Sequence, residues 1–224
     1  MSPSRSLLVV LSAVALGLAS PAPAAAGGSG TWKEPATGEA FPLTVTPPGG
    51  TTPLALTGGG VRTKVVFKVY AFGLYVDPAA AAKGLAAWAG KPADALRQDK
   101  EFYTALIDFP GDKLAAMKFV RDLEGAQIGD ALDAAVARTL PTTDPARTQF
   151  RALWKDPIKK GDESWIVIRT GGEVSVVRGG TVVGTVDSKP LGRALLLAWF
   201  GPEPVSESIR EGAVERIPEL LAAK

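Results

Sequence analysis

The chain has no histidine and no cysteine among its 224 residues. Nucleophile systems built on Ser-His-Asp or Cys-His are therefore excluded, as are zinc sites made from His or Cys ligands. Chemistry is left to arginine, lysine, tyrosine, hydroxyl and carboxyl side chains and to backbone groups. The sequence carries no Walker loop, no GxGxxG between a strand and a helix, no calcium-loop pattern and no internal repeat. Among the groups that remain, Arg62 stands just after the run Gly58-Gly59-Gly60. Such a run marks a tight bend or a place where the backbone must approach something closely. A guanidinium is planar, permanently charged and able to hold both oxygens of one carboxylate, which a lysine cannot match. Arg62 either meets a ligand in this way or ends a strand and pairs with a structural acid such as Asp77, Asp108 or Asp122. Tyr70, in the apolar run that follows, is either a phenol donor or a core aromatic.

The elements that would position these residues follow from pattern. Residues 41–45 and 53–57 read as short strands, with a bend at the glycines. Residues 63–76 are β-branched or aromatic on both parities, which predicts one central strand buried on both faces. Asp77-Pro78 starts a helix that runs through the alanine-rich stretch to Trp88. Residues 103–109 read as a strand, and 112–123, 127–140 and 145–154 as helices. Strands over 164–169, 174–178 and 181–186, separated by Gly171-Gly172 and Gly179-Gly180, predict an antiparallel meander. Helices over 190–200 and 206–221 close the chain, split at Gly201-Pro202. The predicted class is α+β: a large antiparallel sheet with a layer of helices on one face. Trp88, Trp154, Trp165 and Trp199 lie on apolar faces and are expected in the core, and Arg121, Asp122 and Glu124 at a solvated or paired helix end.

The N-terminus reads as an address. Arg5 precedes an apolar stretch over residues 7–19, which ends in Ser20-Pro21-Ala22-Pro23 and Ala24-Ala25-Ala26. That is a signal-peptide pattern with a small-residue cleavage site, too short in its apolar part to span a bilayer comfortably. The expectation is a signal peptide over 1–26 cleaved after Ala26, a flexible lead-in over 27–40 and one domain over 41–224. A periplasmic or secreted protein results, with no integral membrane segment after cleavage. Lys and Arg total 25 against 23 Asp and Glu, interspersed rather than blocked. Nothing in that balance points to a nucleic-acid partner or a polybasic membrane patch, and no cofactor or metal site is expected.

Three segments, in order, resemble the superfamily of chalcone isomerases and fatty-acid-binding proteins. Gly60-Val61-Arg62 leading into Lys68-Val69-Tyr70-Ala71-Phe72-Gly73-Leu74-Tyr75 is similar to that family's "GVR" followed by "KFTAIGVYL". The run from Phe119 through Arg121, Glu124 and Gly125 to Ile128, with its trailing helix, is the second. The third is Leu191-Gly192-Arg193-Ala194-Leu195-Leu196 through Gly201, followed by Pro204-Val205-Ser206. The likeness is strongest to the exported bacterial chalcone-isomerase-like branch. It implies an antiparallel sheet under a helical layer, and it matches Arg62 to the family's buried arginine. In the plant enzymes that arginine lies near the substrate's phenolate and enone; in the fatty-acid-binding relatives it pairs with a carboxylate.

The departures bear on activity. Tyr70 stands where the enzymes place a threonine that helps hold a water, Ile128 and Ala135 where they place tyrosine and asparagine, and Ala198 and Trp199 where they place threonine and methionine. Losing a donor aimed at a developing oxyanion costs about 2.7–4 kcal/mol apiece. Flavonoid cyclisation is therefore not expected. The resemblance implies a non-catalytic module binding a small apolar carboxylate, such as a fatty acid, at Arg62. The alternative is an isomerase or intramolecular lyase on another substrate, using Arg62 and Tyr70. A third possibility, an interaction protein without ligand, requires Trp199 and Phe200 to fill the cleft.

Overall fold

The computed structural model describes residues 30–223. The expected signal peptide and its cleavage point, and Gly27 with them, lie outside the described residues. Nine strands are described: β1 (Thr31–Lys33), β2 (Ala40–Pro42), β3 (Thr44–Val45), β4 (Leu54–Lys64), β5 (Phe67–Val76), β6 (Lys113–Phe119), β7 (Glu163–Ile168), β8 (Glu173–Arg178) and β9 (Thr181–Asp187). The described helices are α1 (Pro78–Gly84), α2 (Ala93–Gln98), α3 (Lys100–Asp108), α4 (Gly125–Val136), α5 (Pro145–Arg151), α6 (Lys189–Phe200), α7 (Glu207–Gly212) and α8 (Ile217–Ala222). Strands β3 to β9 form one antiparallel sheet in chain order, each paired with the next. The α+β class, with helices layered on the sheet, is as the sequence predicts.

The pleat sorts the core. Tyr70, Phe72, Leu74 and Val76 of β5, with Ala115, Met117 and Phe119 of β6, point into the main core under the helices. Ala71 and Tyr75 of β5 and Leu114 and Ala116 of β6 point to the opposite face. There they meet Phe41, Val45, Leu54 and Leu56. Because both faces are covered, β5 and β6 carry near-continuous apolar runs rather than alternation. On the helical side, Leu191, Leu195 and Trp199 of α6 are fully buried, and Trp199 packs 5.1 Å from Phe72, ring centre to ring centre. Burial of each such side chain contributes about 1.5–3 kcal/mol.

Several sequence expectations are corrected. The stretch 63–76 is not one strand: Val65 and Val66 turn the chain between β4 and β5, with Lys64 opposite Phe67. Only the part from Tyr70 onward is buried on both faces, and it does lie inside the sheet. The turn lacks Gly, Asn, Asp or Pro, so nothing local announced it. Residues 103–108 belong to helix α3, with Phe109 as its C-cap, and not to a strand: Asp99 caps the start, accepting from the Phe102 N–H at 2.9 Å, and Phe102, Tyr103, Leu106 and Ile107 form one buried stripe. Residues 112–123 hold strand β6 rather than a helix. Leu114, Ala115, Ala116 and Met117 favour helices in isolation, but a slot between β5 and β7 outweighs propensity. The glycines 58–60 continue β4 instead of ending it.

Residues 30–40 of the expected lead-in are structured. Strands β1 and β2 pair as a two-stranded ribbon, and Trp32 packs 6.0 Å from Phe41. The carboxylate of Glu34, only 2 % exposed, accepts from the Ala36 and Thr37 N–H groups and the Thr37 hydroxyl. This ribbon and the residues after it cap the sheet face away from the helices.

Candidate functional site

Arg62 and Tyr70 are direct cross-strand partners in the β4–β5 hairpin. Residues so paired share a face with Cβ atoms about 4.5–5.5 Å apart. The shared face opens on a cavity of about 720 Å³ beneath α4 and the end of α6. That volume lies in the range of small-molecule sites. Its walls are mainly apolar. Val69, Ile128, Leu132, Ala135, Ala198 and Trp199 contribute to them, and so do Tyr70 and Arg62. The cleft is therefore open: Trp199 forms a wall and does not plug it.

The polar end is held by two serine straps. The Ser206 hydroxyl donates to the Val61 carbonyl at 2.8 Å, and the Val61 N–H donates to the Ser208 hydroxyl at 3.2 Å. This fixes the segment after α6 against β4 and sets the Val205 carbonyl over Arg62, whose Nη1 donates to it and to the Thr63 carbonyl at 3.0 Å. The glycines allow the approach. A Cβ on Gly60 would lie 2.2 Å from the Ser208 carbonyl oxygen and one on Gly58 2.2 Å from that of Gly212, so α7 rests directly on bare strand backbone. The close-approach reading of the run holds; the bend does not.

A guanidinium has five N–H donors. Nη1 uses its two on carbonyls, and the three on Nε and Nη2 have no protein acceptor among the described residues. No acid pairs with Arg62 there. Asp77 caps α1 through the Ala79 and Ala80 N–H groups, Asp108 binds Arg193 at 2.8 Å, and Asp122 faces Lys159 at 3.5 Å. Arg62 is thus a cation held in place by carbonyls, with three of its five N–H donors left for another partner.

Tyr70 is buried, and its hydroxyl accepts from Trp199 Nε1 at 3.4 Å. Burial pushes the Tyr70 pKa up from its ordinary value, against the opposing pull of the Trp199 hydrogen bond and the Arg62 charge. The phenol therefore stays protonated, and its own hydrogen has no acceptor among the described residues. Arg62 and Tyr70 together offer a charged and a neutral donor at one end of an apolar cavity. That arrangement can bind an anionic oxygen group attached to an apolar body.

Sequence reasoning found Arg62 and Tyr70 and located Ile128, Ala135, Ala198 and Trp199, all of which line this cavity. It missed the cations at the mouth. Lys64 and Arg121 also line the opening, from β4 and from the loop after β6. Arg121 lies outside any helix and stacks over Phe67, 5.2 Å from the ring centre. The carboxylate in the lining, Asp130, is bound by Arg151. Of the four tryptophans expected in the core, Trp154 and Trp199 are fully buried, while Trp88 and Trp165 are only partly so.

Comparison with known proteins agrees with this fold. A family model described as "Chalcone isomerase-like" matches residues 36–213. Chalcone–flavanone isomerase 2-B of Glycine max is 28% identical over 200 residues, covering 81% of this chain and 88% of that protein. A chalcone–flavanone isomerase of Camellia sinensis is 26% identical over 204 residues, covering 82% and 88%. Among solved structures, a fatty-acid-binding protein of Arabidopsis thaliana superposes with a TM-score of 0.73 at 25% identity, covering 87% of this chain and all of that one.

Proposed function

The chain belongs to the chalcone isomerase-like family, and from that premise we propose that it is a non-catalytic member that holds a small apolar carboxylate, such as a fatty acid. The carboxylate meets Arg62 and Tyr70, and the apolar tail lies between the sheet and α4. The observation that carries this reading is the state of Arg62: carbonyl-anchored, unpaired with any described acid, and facing a cavity walled by aliphatic side chains. An unmatched guanidinium in such surroundings is favoured when an anion completes it. The fatty-acid-binding protein of Arabidopsis supports the ligand class by its likeness. Export belongs to the same reading: with residues 1–26 acting as a signal peptide, the protein works in the periplasm or outside the cell, beginning at Gly27.

The experiment is titration calorimetry with a long-chain fatty acid and with its methyl ester. Binding of the acid, and much weaker binding of the ester, supports a carboxylate held by Arg62. Equal affinity for both, or none for either, refutes it. The plant relatives make isomerisation the second reading, with Arg62 and Tyr70 stabilising charge on an enone oxygen. Against it, the cavity lining carries Ile128, Ala135 and Ala198 at the positions where the resemblance places the enzymes' tyrosine, asparagine and threonine, and these donate nothing from their side chains. Following chalcone absorbance decides the matter: no acceleration is expected, and turnover at the level of a flavonoid-forming isomerase would reverse the assignment.

A further inference from the structure

The β4–β5 hairpin carries the most exposed of the large apolar side chains among the described residues. Val65 is 88 %, Val66 76 % and Phe67 60 % exposed. Val65 is also the one non-glycine described residue with positive φ, at 58°. A β-branched residue is sterically disfavoured there, and an Asn-Gly pair would make the same turn without strain. Three consecutive apolar side chains in water, at a strained turn, cost the isolated protein both hydration and backbone energy.

Charge surrounds this tip with one sign. Lys64 and Lys68 flank it on the two strands, and Arg121 reaches over Phe67 from the next loop. None of these three makes an ion pair with a described carboxylate; Lys68 donates to the Ala36 carbonyl. The nearby acids are occupied. Asp122 accepts from the Lys160 N–H at 2.8 Å and faces Lys159, Asp130 binds Arg151, and Glu124 caps α4. The tip is also the cavity's mouth: Lys64, Val65, Phe67 and Arg121 all line the opening.

We infer that the Val65-Val66-Phe67 tip docks the protein on an anionic lipid bilayer, with the three valine and phenylalanine side chains entering the headgroup boundary and Lys64, Lys68 and Arg121 meeting lipid phosphates. Shallow entry suits a turn, because its unpaired backbone groups stay in the hydrated headgroup layer. The cations add attraction to the negative surface, which salt screens. A second copy of this chain would have to cover the same tip with an acidic counterpart, since these cations repel their own image. Docking sets the cavity mouth against the membrane, so an apolar ligand passes between bilayer and cavity without crossing water. Only that last consequence rests on the proposed function.

The test is co-sedimentation with vesicles of phosphatidylcholine alone and of phosphatidylcholine mixed with phosphatidylglycerol, using the mature chain and its Val66→Asp variant. Val66 does not line the cavity, so the variant keeps its fold and its fatty-acid affinity in solution. The wild type is expected to bind the anionic vesicles at about 0.1 M salt and release them towards about 1 M. Val66→Asp is expected to weaken that binding by roughly tenfold or more, since a charge replaces an inserted apolar group. Equal sedimentation of wild type and variant overturns the docking surface, as does wild-type indifference to anionic vesicles. A wild-type dimer in analytical ultracentrifugation that Val66→Asp dissolves would assign the tip to self-association instead. Vesicle binding without fatty-acid binding would sink the cavity reading and leave the docking surface standing.

Discussion

Replacing Arg62 by alanine separates a ligand-holding arginine from a structural one. Were Arg62 paired with a buried acid, its loss would strand a carboxylate and cost about 3–5 kcal/mol. No acid among the described residues plays that part: the partners lost are the carbonyls of Thr63 and Val205, beside an open cavity that water can enter. A hydrogen bond to a charged group contributes about 1.5–3 kcal/mol, and the freed carbonyls recover much of it from water. The expected cost to the ligand-free fold is therefore about 1 kcal/mol, or about 2–4 °C in Tm for a domain of this size. Binding responds differently, because the charge-assisted contact to the carboxylate has no replacement. Loss of about 1.5–3 kcal/mol there weakens Kd by about 10- to 150-fold. Scanning calorimetry of the ligand-free proteins, beside fatty-acid titration of both, measures the two quantities independently. A Tm drop above about 10 °C, with unchanged fatty-acid affinity, would refute the reasoning and return Arg62 to the scaffold.

Three other perturbations probe the surroundings. Tyr70→Phe removes the acceptor of the buried Trp199 N–H, and an expected loss of about 1–2 kcal/mol should appear in urea denaturation; a fully neutral result would mean that the 3.4 Å contact has no structural weight. Gly60→Ala drives a methyl group into the Ser208 carbonyl and should destabilise by about 3 kcal/mol, lowering Tm by about 6–12 °C in calorimetry; an unchanged midpoint would show that α7 yields freely. Lys113 is 3 % exposed and donates to the Phe109 and Gly111 carbonyls, and burial lowers its pKa to about 8. The unfolded chain then holds this proton between pH 8 and about 10.5 while the folded one releases it, so stability rises through that window by up to about 3 kcal/mol. Above about pH 10 the buried tyrosines act in the opposite sense, since Tyr103 is raised to about 12 and the unfolded phenols ionise first. Denaturation from pH 7 to 10 should show the rise in the wild type and not in Lys113→Met; parallel curves would contradict it.

The sequence by itself determined the exclusion of histidine and cysteine chemistry, the α+β class and the three-strand meander before α6, and it singled out Arg62 and Tyr70, which line the cavity. These follow from composition, from period-two patterns bounded by Gly-Gly turns, and from a glycine run whose close-approach meaning needs no partner to be named. It also marked Ile128, Ala135 and Ala198 as apolar positions, without showing that they face one another. Tertiary structure decided the rest. The exchange of roles between α3 and β6 came from sheet position, because an apolar run flanked by two strands gains more from pairing and burial than its helix propensity offers. The turn at Val65 was invisible, since its residues favour strands and only the register of β4 on β5 forces them to bend. The cations at the cavity mouth, Lys64 and Arg121, come from β4 and the loop after β6, segments far apart in the chain. Charge spacing along a sequence carries no information about such a pair, because distance through space is set by strand pairing rather than by residue number.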